Sequence, residues 1–327
     1  MKKLFVGIDI SKDTLDFCII RAGDRSIIDR GVIENKSSSI NQWLKKLNTN
    51  DQIAFAMEHT GHYGAKLAQL LSERQKFFFM INPLEIKRSL GVQRGKTDAV
   101  DAYRIASYSI NNYHSLVPYV LPAEKLRKLK ALMTARERYV KILVKIKNSL
   151  KANEILGKTI DLKDLIRMEK KQIKSVDATI ERLEKQMQEI ISSSKELKMN
   201  YKKVTAVIGV GPITAIKCII ETDNFLKFDN ARKFSCHCGL APFPYQSGSS
   251  VKGKTKTHHL RVKSLKAILF KAAGCAVQHD PQLKRYHQRK LAEGKKNLTV
   301  INAVANKIVL RIFAVVNRDE PFVKLTA

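Results

Sequence analysis

Acidic residues are scarce in this chain: 30 Asp and Glu stand against 60 Lys and Arg, a formal net charge of +30 over 327 residues. Such an excess asks for a polyanionic partner, and nucleic acid is the usual one. Long hydrophobic runs are missing as well. The longest uncharged apolar stretch, 204–216, contains Gly-Val-Gly-Pro and is too short to span a bilayer. The opening Met-Lys-Lys-Leu-Phe-Val-Gly-Ile-Asp-Ile carries an apolar run that an aspartate interrupts, so it reads as a strand and not as a secretory signal. Without a signal, an anchor or a dominant basic amphipathic helix, a peripheral membrane role is disfavoured. Cysteine is limited to Cys18, Cys218, Cys236, Cys238 and Cys275. An odd, irregularly spaced set argues for a reducing cytoplasm and against a disulfide framework. Proline is sparse and 44% of residues are hydrophobic, which excludes a disordered basic tail.

What is present divides into three parts. Residues 1–118 alternate strand and helix patterns: strands at 3–10, 14–20 and 26–34, a helix at 37–48, a strand at 52–58, a helix at 62–74 and a strand at 76–81. Three early strands followed by alternation predict a mixed α/β sheet with helices packed on it. In 119–200 glycine is reduced to Gly157, and Ile173, Val176, Ile180, Leu183, Met187 and Ile190 are spaced 3, 4, 3, 4 and 3, a heptad seam. With Leu126, Leu129, Met133, Val140 and Leu143 on an earlier helix, this predicts an antiparallel helical coiled-coil arm. The seam serves equally for packing the hairpin on itself or for dimerisation. Residues 201–327 read as a mostly helical domain with one irregular segment, 239–257. No acid stands between Asp229 and Asp280, whereas Lys252, Lys254, Lys256 and Arg261 are among the many cations there. A one-sign field of that kind is best explained by a bound polyanion.

Some acids stand where acids are costly. Asp9 interrupts the apolar run Leu4-Phe5-Val6-Gly7-Ile8-Asp9-Ile10, and Glu58 ends the run Ile53-Ala54-Phe55-Ala56-Met57-Glu58. A carboxylate in a core strand needs a partner or a metal ion. Asp98 and Asp101 are three residues apart, on one helical face. Taken singly, each acid reads more readily as structural or solvated, and Lys96 and Arg104 could pair with the last two. The four together suit a hard, oxygen-loving ion such as Mg²⁺, one or two per site. Ser247 lies in Gln246-Ser247-Gly248-Ser249-Ser250-Val251-Lys252-Gly253-Lys254. By composition this is a Ser/Gly loop. As a nucleophile loop, its glycine admits a phosphate and its lysines hold it, with Ser249 and Ser250 competing for the role. Gly209-Val210-Gly211-Pro212 is either a packing turn or a phosphate-holding hairpin before a helix. Cys236-His237-Cys238 with Cys275 and His279 lacks zinc-site spacing and reads as small buried residues.

The motifs Val6-Gly7-Ile8-Asp9-Ile10-Ser11-Lys12, Glu58-His59-Thr60-Gly61-His62-Tyr63 and Lys96-Thr97-Asp98-Ala99-Val100-Asp101-Ala102 resemble the DEDD transposases of the insertion-sequence one-ten family, which includes the Piv-type invertases. Downstream, Gly209-Val210-Gly211-Pro212, Gly239-Leu240-Ala241-Pro242, Ser247-Gly248, Asn302-Ala303 and Lys307 also fit. Many relatives have a glycine near Arg261, where this chain has Arg-Val-Lys-Ser. The resemblance implies a RuvC-like (RNase H-type) N-terminal domain, a coiled-coil arm and a C-terminal transposase domain. It places the catalytic acids at Asp9, Glu58, Asp98 and Asp101 and the serine nucleophile at Ser247. It further implies a bacterial, nucleoid-associated recombinase that acts on double-stranded donor and target DNA. Such an enzyme works as a homo-oligomer, a dimer or a tetramer, is guided by a structured bridge RNA and needs no ATP. Lys96, Gly209, Gly211, Gly248, Lys252, Lys254, Lys256 and Arg261 are the expected nucleic-acid contacts, and acids and serine are expected to meet only in the assembled complex. The rival readings are a hydrolytic Holliday-junction nuclease of RuvC type, a sugar-kinase or actin-like ATPase, disfavoured because Ser11-Lys12-Asp13 replace a glycine-rich turn, and a non-enzymatic basic nucleic-acid-binding protein.

Overall fold

The computed structural model describes residues 3–47, 52–59, 61–89, 98–247, 251–257 and 261–318, with backbone alone for 244–247 and 251–256. Two compact units share the chain, Met1–Leu121 and Pro122–Ala327.

In the first unit, strands β1 (Lys3–Ile10), β2 (Thr14–Arg21), β3 (Ile27–Glu34), β4 (Gln52–Glu58) and β5 (Phe77–Ile81) form one sheet in the order β3-β2-β1-β4-β5. The β1–β2 and β2–β3 pairs are antiparallel; β1–β4 and β4–β5 are parallel. This is the mixed α/β sheet that the strand pattern predicts, and it is compatible with a RuvC-like fold. Near-continuous apolar runs in β1, β2 and β4 reflect burial on both faces. Leu4, Val6, Ile8, Phe55 and Met57 pack against Ile40, Trp43 and Leu44 of α1 (Ser37–Lys46) and Leu67 and Leu71 of α2 (Ala65–Glu73). The alternate residues, Phe5, Ala54 and Ala56 with Cys18 and Ile20, meet Ile86 of α3 (Pro83–Ser89) and Ala102, Ile105 and Ala106 of α4 (Asp98–Asn111).

Helix α4 crosses β1 at Gly7. A Cβ there would stand 2.1 Å from the Ala102 carbonyl oxygen and 2.4 Å from the Ala106 nitrogen. Both are backbone atoms, so no rotamer change could make room.

The second unit begins with α5 (Glu124–Leu156) and α6 (Lys163–Ser192). Ion pairs Arg136–Glu184 at 2.6 Å, Lys147–Asp177 at 3.8 Å and Glu154–Lys170 at 2.8 Å show that they run antiparallel. The heptad residues of α6 are buried or half-buried along one side. At the base of the pair, Leu126, Leu129, Met133, Met187 and Ile191 pack with Leu197 of α7 (Lys195–Thr205) and Ile216 and Ile219 of α8 (Pro212–Glu221). Lys217 of α8 is 7% exposed. Its ammonium lies 2.8 Å from Glu137 of α5, an ionic approach, and 3.3 Å from Glu221, which in turn meets His237 of α9 (Ala231–Cys238) at 3.3 Å. Burial pushes the Glu221 carboxyl up, but the His237 hydrogen bond and the Lys217 charge outweigh it and bring it to about 2.

Within 239–257 the structure departs from the irregular segment expected. Strands β6 (Phe243–Ser247) and β7 (Val251–Lys256) pair antiparallel. Phe243, Tyr245 and Val251 favour strand, with turn-forming Gly and Ser between the two runs. Helices α10 (Lys263–His279), α11 (Pro281–Ala292) and α12 (Asn297–Asn317) complete the unit. Helix α12 is long and apolar enough to cross a membrane by length and composition, yet Val304, Ile308, Val309, Ile312 and Phe313 lie in this unit's core.

Gly7→Ala, the smallest change possible at that position, is expected to destabilise the N-terminal unit by at least the ~1–3 kcal/mol of an overpacked core. Urea unfolding measures this, and an unchanged midpoint would show that α4 does not rest on β1 at this point.

Candidate active site

Strand alternation decides which way the acids face. Asp9 shares a face of β1 with Phe5 and Gly7, and Glu58 shares a face of β4 with Ala54 and Ala56, the face that α4 covers. Parallel pairing sets Gly7 beside Ala56 and Ile8 beside Met57, so Asp9 and Glu58 sit together at the carboxyl ends of neighbouring strands. Because Gly7 lets α4 descend onto the sheet, the first turn of that helix, with Asp98 and Asp101, arrives at the same edge. The positive end of the helix dipole favours carboxylates there.

The electrostatics bear this out. Burial raises the Asp9 carboxyl well above the usual range, and the charges of Asp101, Asp98 and Glu58 raise it further, to about 6. A fifth acid, not singled out by sequence reasoning, joins them. Asp16 lies directly across from Asp9 on β2, is 9% exposed, and is raised by burial and by Asp98. Its signal was available: it interrupts the apolar run of β2 as Asp9 interrupts that of β1.

Asp101 accepts a hydrogen bond from Nη1 of Arg104 at 2.8 Å, the pairing that the sequence spacing allowed. Asp98 is exposed at the helix start. Among the described residues no three acids, histidines or cysteines close into a ligand set. The donor chemistry, oxygen-only and short of counter-charge around Asp9, still fits a hard divalent cation.

Ser247 ends β6, paired with Val251 at the mouth of the β-hairpin. Lys252, Lys254 and Lys256 lie along β7, where Lys252 pairs with Gln246 and Lys256 with Phe243. The side chains of Ser247 and these lysines are outside the described residues, as are Lys96, Gly248, Ser249 and Ser250 altogether. Arg261 packs its side chain across Gly239. Gly209 has φ +91° and would drive a Cβ to 2.5 Å from the Ala272 carbonyl oxygen, so it seats the turn against α10; a Cβ on Gly211, before α8, would meet open space. Of the cysteines, Cys18, Cys218 and Cys238 are buried, whereas Cys236 is half-buried and Cys275 exposed, so the reading of Cys236, Cys238 and Cys275 as small buried residues holds for Cys238 alone. Burial pushes the Cys218 thiol up to about 12.

The Asp9 environment has a consequence for stability. Between about pH 4, where an unfolded aspartate titrates, and about pH 6, folded Asp9 keeps a proton that the unfolded chain has released. Raising the pH through this window therefore weakens folding. In metal-free buffer Asp9→Asn is expected to unfold at a higher temperature than wild type above about pH 7, the gain disappearing below about pH 4. Thermal unfolding at stepped pH checks it; a gain independent of pH would contradict the buried, crowded carboxylate.

Residues 6–157 match the family model of the IS110-type DEDD transposase, and residues 201–288 match that of the transposase IS116/IS110/IS902 family. All four acids of the sequence reading fall in the first match and Ser247 in the second. Over 329 residues the chain is 26% identical to the pilin gene-inverting proteins of Moraxella bovis and Moraxella lacunata, with 99% of both chains covered. It is 24% identical over 163 residues to a probable family 20 transposase of Pseudomonas aeruginosa, covering 48% of this chain and 46% of that protein. Among solved structures, T. thermophilus RuvC in complex with a Holliday junction substrate aligns at a TM-score of 0.28 and 11% identity, over 36% of this chain and 99% of that one. With one family match running through α5, a second beginning after α6 and a full-length likeness to gene-inverting proteins, the chain belongs to the IS110 family of transposases and is a DNA recombinase.

Proposed function

We propose that this recombinase cuts and rejoins double-stranded DNA through a phosphoserine ester on Ser247, with Asp9, Glu58, Asp98 and Asp101 holding one or two Mg²⁺ ions. The observation that carries the reading is the gathering of these acids at one edge of the sheet, with Asp9 raised to about 6 by burial and by its three neighbours. Carboxylates crowded in this way are relieved when a cation shares them. When bound, Mg²⁺ supplies positive charge to the scissile phosphate and to the attacking and leaving oxygens.

The serine step exchanges one ester for another. The Ser247 oxygen forms a bond to phosphorus, the phosphorus–oxygen bond of the DNA strand breaks, and the departing deoxyribose oxygen takes a proton as the serine gives one up. Attack by a strand hydroxyl on the phosphoserine reverses this and frees the serine. Bond energy is conserved, so no ATP is required. Lys252, Lys254 and Lys256 counter the phosphate charge, and Lys96, Gly209, Gly211, Gly248 and Arg261 complete the nucleic-acid contacts. Full-length likeness to pilin gene-inverting proteins supports inversion of a DNA segment as well as transposition.

A structured bridge RNA supplies the target sequence in this reading, so the protein itself need not encode it. The net charge of +30 supports so polyanionic a complex. Residues 119–200 act as a coiled-coil arm, in addition to the catalytic domains of 1–118 and 201–327. Exposed Ile155, Leu156, Ile160 and Met168 near the turn between α5 and α6 support assembly of copies into a dimer or tetramer. The enzyme works in the bacterial cytoplasm, on the nucleoid.

Ser247→Ala is expected to abolish the covalent protein–DNA adduct while binding persists, whereas Ser249→Ala and Ser250→Ala retain it. Denaturing gels of labelled DNA after incubation with Mg²⁺ report the adduct. Cleavage by wild type with no attached protein would replace the serine mechanism by hydrolysis at the acids. Undiminished cleavage by Asp9→Asn would remove the metal site.

A further inference from the structure

Helices α11 and α12 enclose a cleft of about 500 Å³ that contains none of the acids and no residue of the β6–β7 hairpin. Arg285 and Arg289 are four residues apart on α11, with Tyr286 between them, and Lys307 and Arg311 are four apart on α12. Helical spacing therefore turns two cations from each helix toward the same space. The second family match ends at residue 288, so Arg289, Lys307 and Arg311 lie beyond it.

The four cations have different surroundings. Arg311 braces the cleft: its Nη1 donates to Oδ2 of buried Asp280 at 2.6 Å and its Nη2 to Gln282. Oδ1 of Asp280 in turn accepts the Leu283 N–H at 2.9 Å and caps α11. The Lys307 ammonium stands 4.5 Å from the centre of the Tyr286 ring, and the Arg289 guanidinium 5.7 Å from it. The ring thus lies within cation–π reach of both, with Lys307 half-buried over it and Arg289 exposed at the rim of the cleft. Glu293 reaches Arg289 at 3.8 Å but is shared with Lys290 at 2.7 Å. Among the described residues, neither Arg285 nor Lys307 has a carboxylate within ion-pair distance. Packing cations about a concave space with so little counter-charge is unfavourable unless an anion enters. Two guanidinium forks and an ammonium match the oxygens of a phosphodiester.

We propose that the α11–α12 cleft is a nucleic-acid backbone site, taking a phosphodiester between Arg285, Arg289 and Lys307, apart from the strand that is cut. The proposal rests on the nucleic-acid reading above. Its ligand chemistry is common to duplex DNA and to RNA.

The test measures binding of the full chain to a labelled DNA duplex and to a labelled single-stranded RNA across a salt series. Wild type is compared with Arg285→Gln, with Arg285→Gln/Lys307→Gln, and with a charge-matched control, Lys174→Gln/Lys185→Gln, on exposed positions of α6. Arg285 is exposed, so its single variant leaves the core untouched should the double variant fold poorly. Each lost phosphate contact is expected to lower the slope of log K against log salt by about one, in the cleft variants and not in the control. A fall on DNA alone assigns the cleft to DNA, on RNA alone to RNA, and on both to a shared site. Slopes equal to wild type on both ligands, or an equal fall in the control, would overturn the cleft while leaving the nucleic-acid reading intact. Wild type that binds neither ligand would overturn both.

Discussion

At Gly7 the backbone of α4 comes closer to a strand than any side chain would allow, with room for neither a Cβ beside the Ala102 carbonyl nor one beside the Ala106 nitrogen. Small residues on both partners make the contact possible: Gly7 on β1, Ala102 and Ala106 on α4. Its consequence reaches past packing. Asp98 and Asp101 belong to the first turn of the same helix, one turn from the contact, and Asp9 lies two residues along the strand from it. Close-packed interiors transmit position with little give, so the depth at which α4 sits sets how near the helix-borne acids come to the strand-borne ones.

That nearness is electrostatically unfavourable, and it is maintained. Asp9 feels burial first and then the charge of Asp101, Asp98 and Glu58, while Asp16 adds a further buried carboxyl across the strand pair. Asp101 is paired with Arg104 at 2.8 Å. A chain with twice as many cations as acids gathers carboxylates in one place and leaves long stretches elsewhere without any. The two halves of this charge pattern suit the proposed chemistry, with acids gathered where a cation would be shared and cations spread where a polyanion would be held.

The second unit shows how buried charge can be arranged for position. Lys217, Glu137, Glu221 and His237 tie α5, α8 and α9 together, fixing the foot of the long helix pair by ions as well as by Leu126, Leu129 and Met133. Removing one member would leave the others buried and unbalanced, the costly case for such networks. The strand that carries Ser247 follows α9 in the chain after four residues.

Much of this was legible in the chain itself. Strand and helix patterns located every strand of the first sheet, because the central strands are short apolar runs bounded by polar or turn residues and the helices between them keep a period of about three and a half residues. Acids breaking apolar runs marked Asp9 and Glu58, and an uninterrupted heptad spacing marked the long helix of 163–192. The strand pair 243–247 and 251–256 is hard to read because Pro244 and a Gly/Ser-rich sequence obscure its alternation, whereas Asp16 breaks the apolar run of β2 and carries the same local signal as Asp9. The pairing of those two aspartates, the descent of α4 at Gly7, the seating of Gly209 on α10 and the meeting of Arg285 with Lys307 all join residues distant in sequence. Local spacing reports what a residue does to its own helix or strand. Which elements then touch, and in what register, follows from the burial of whole faces at once, and only the tertiary structure decides that.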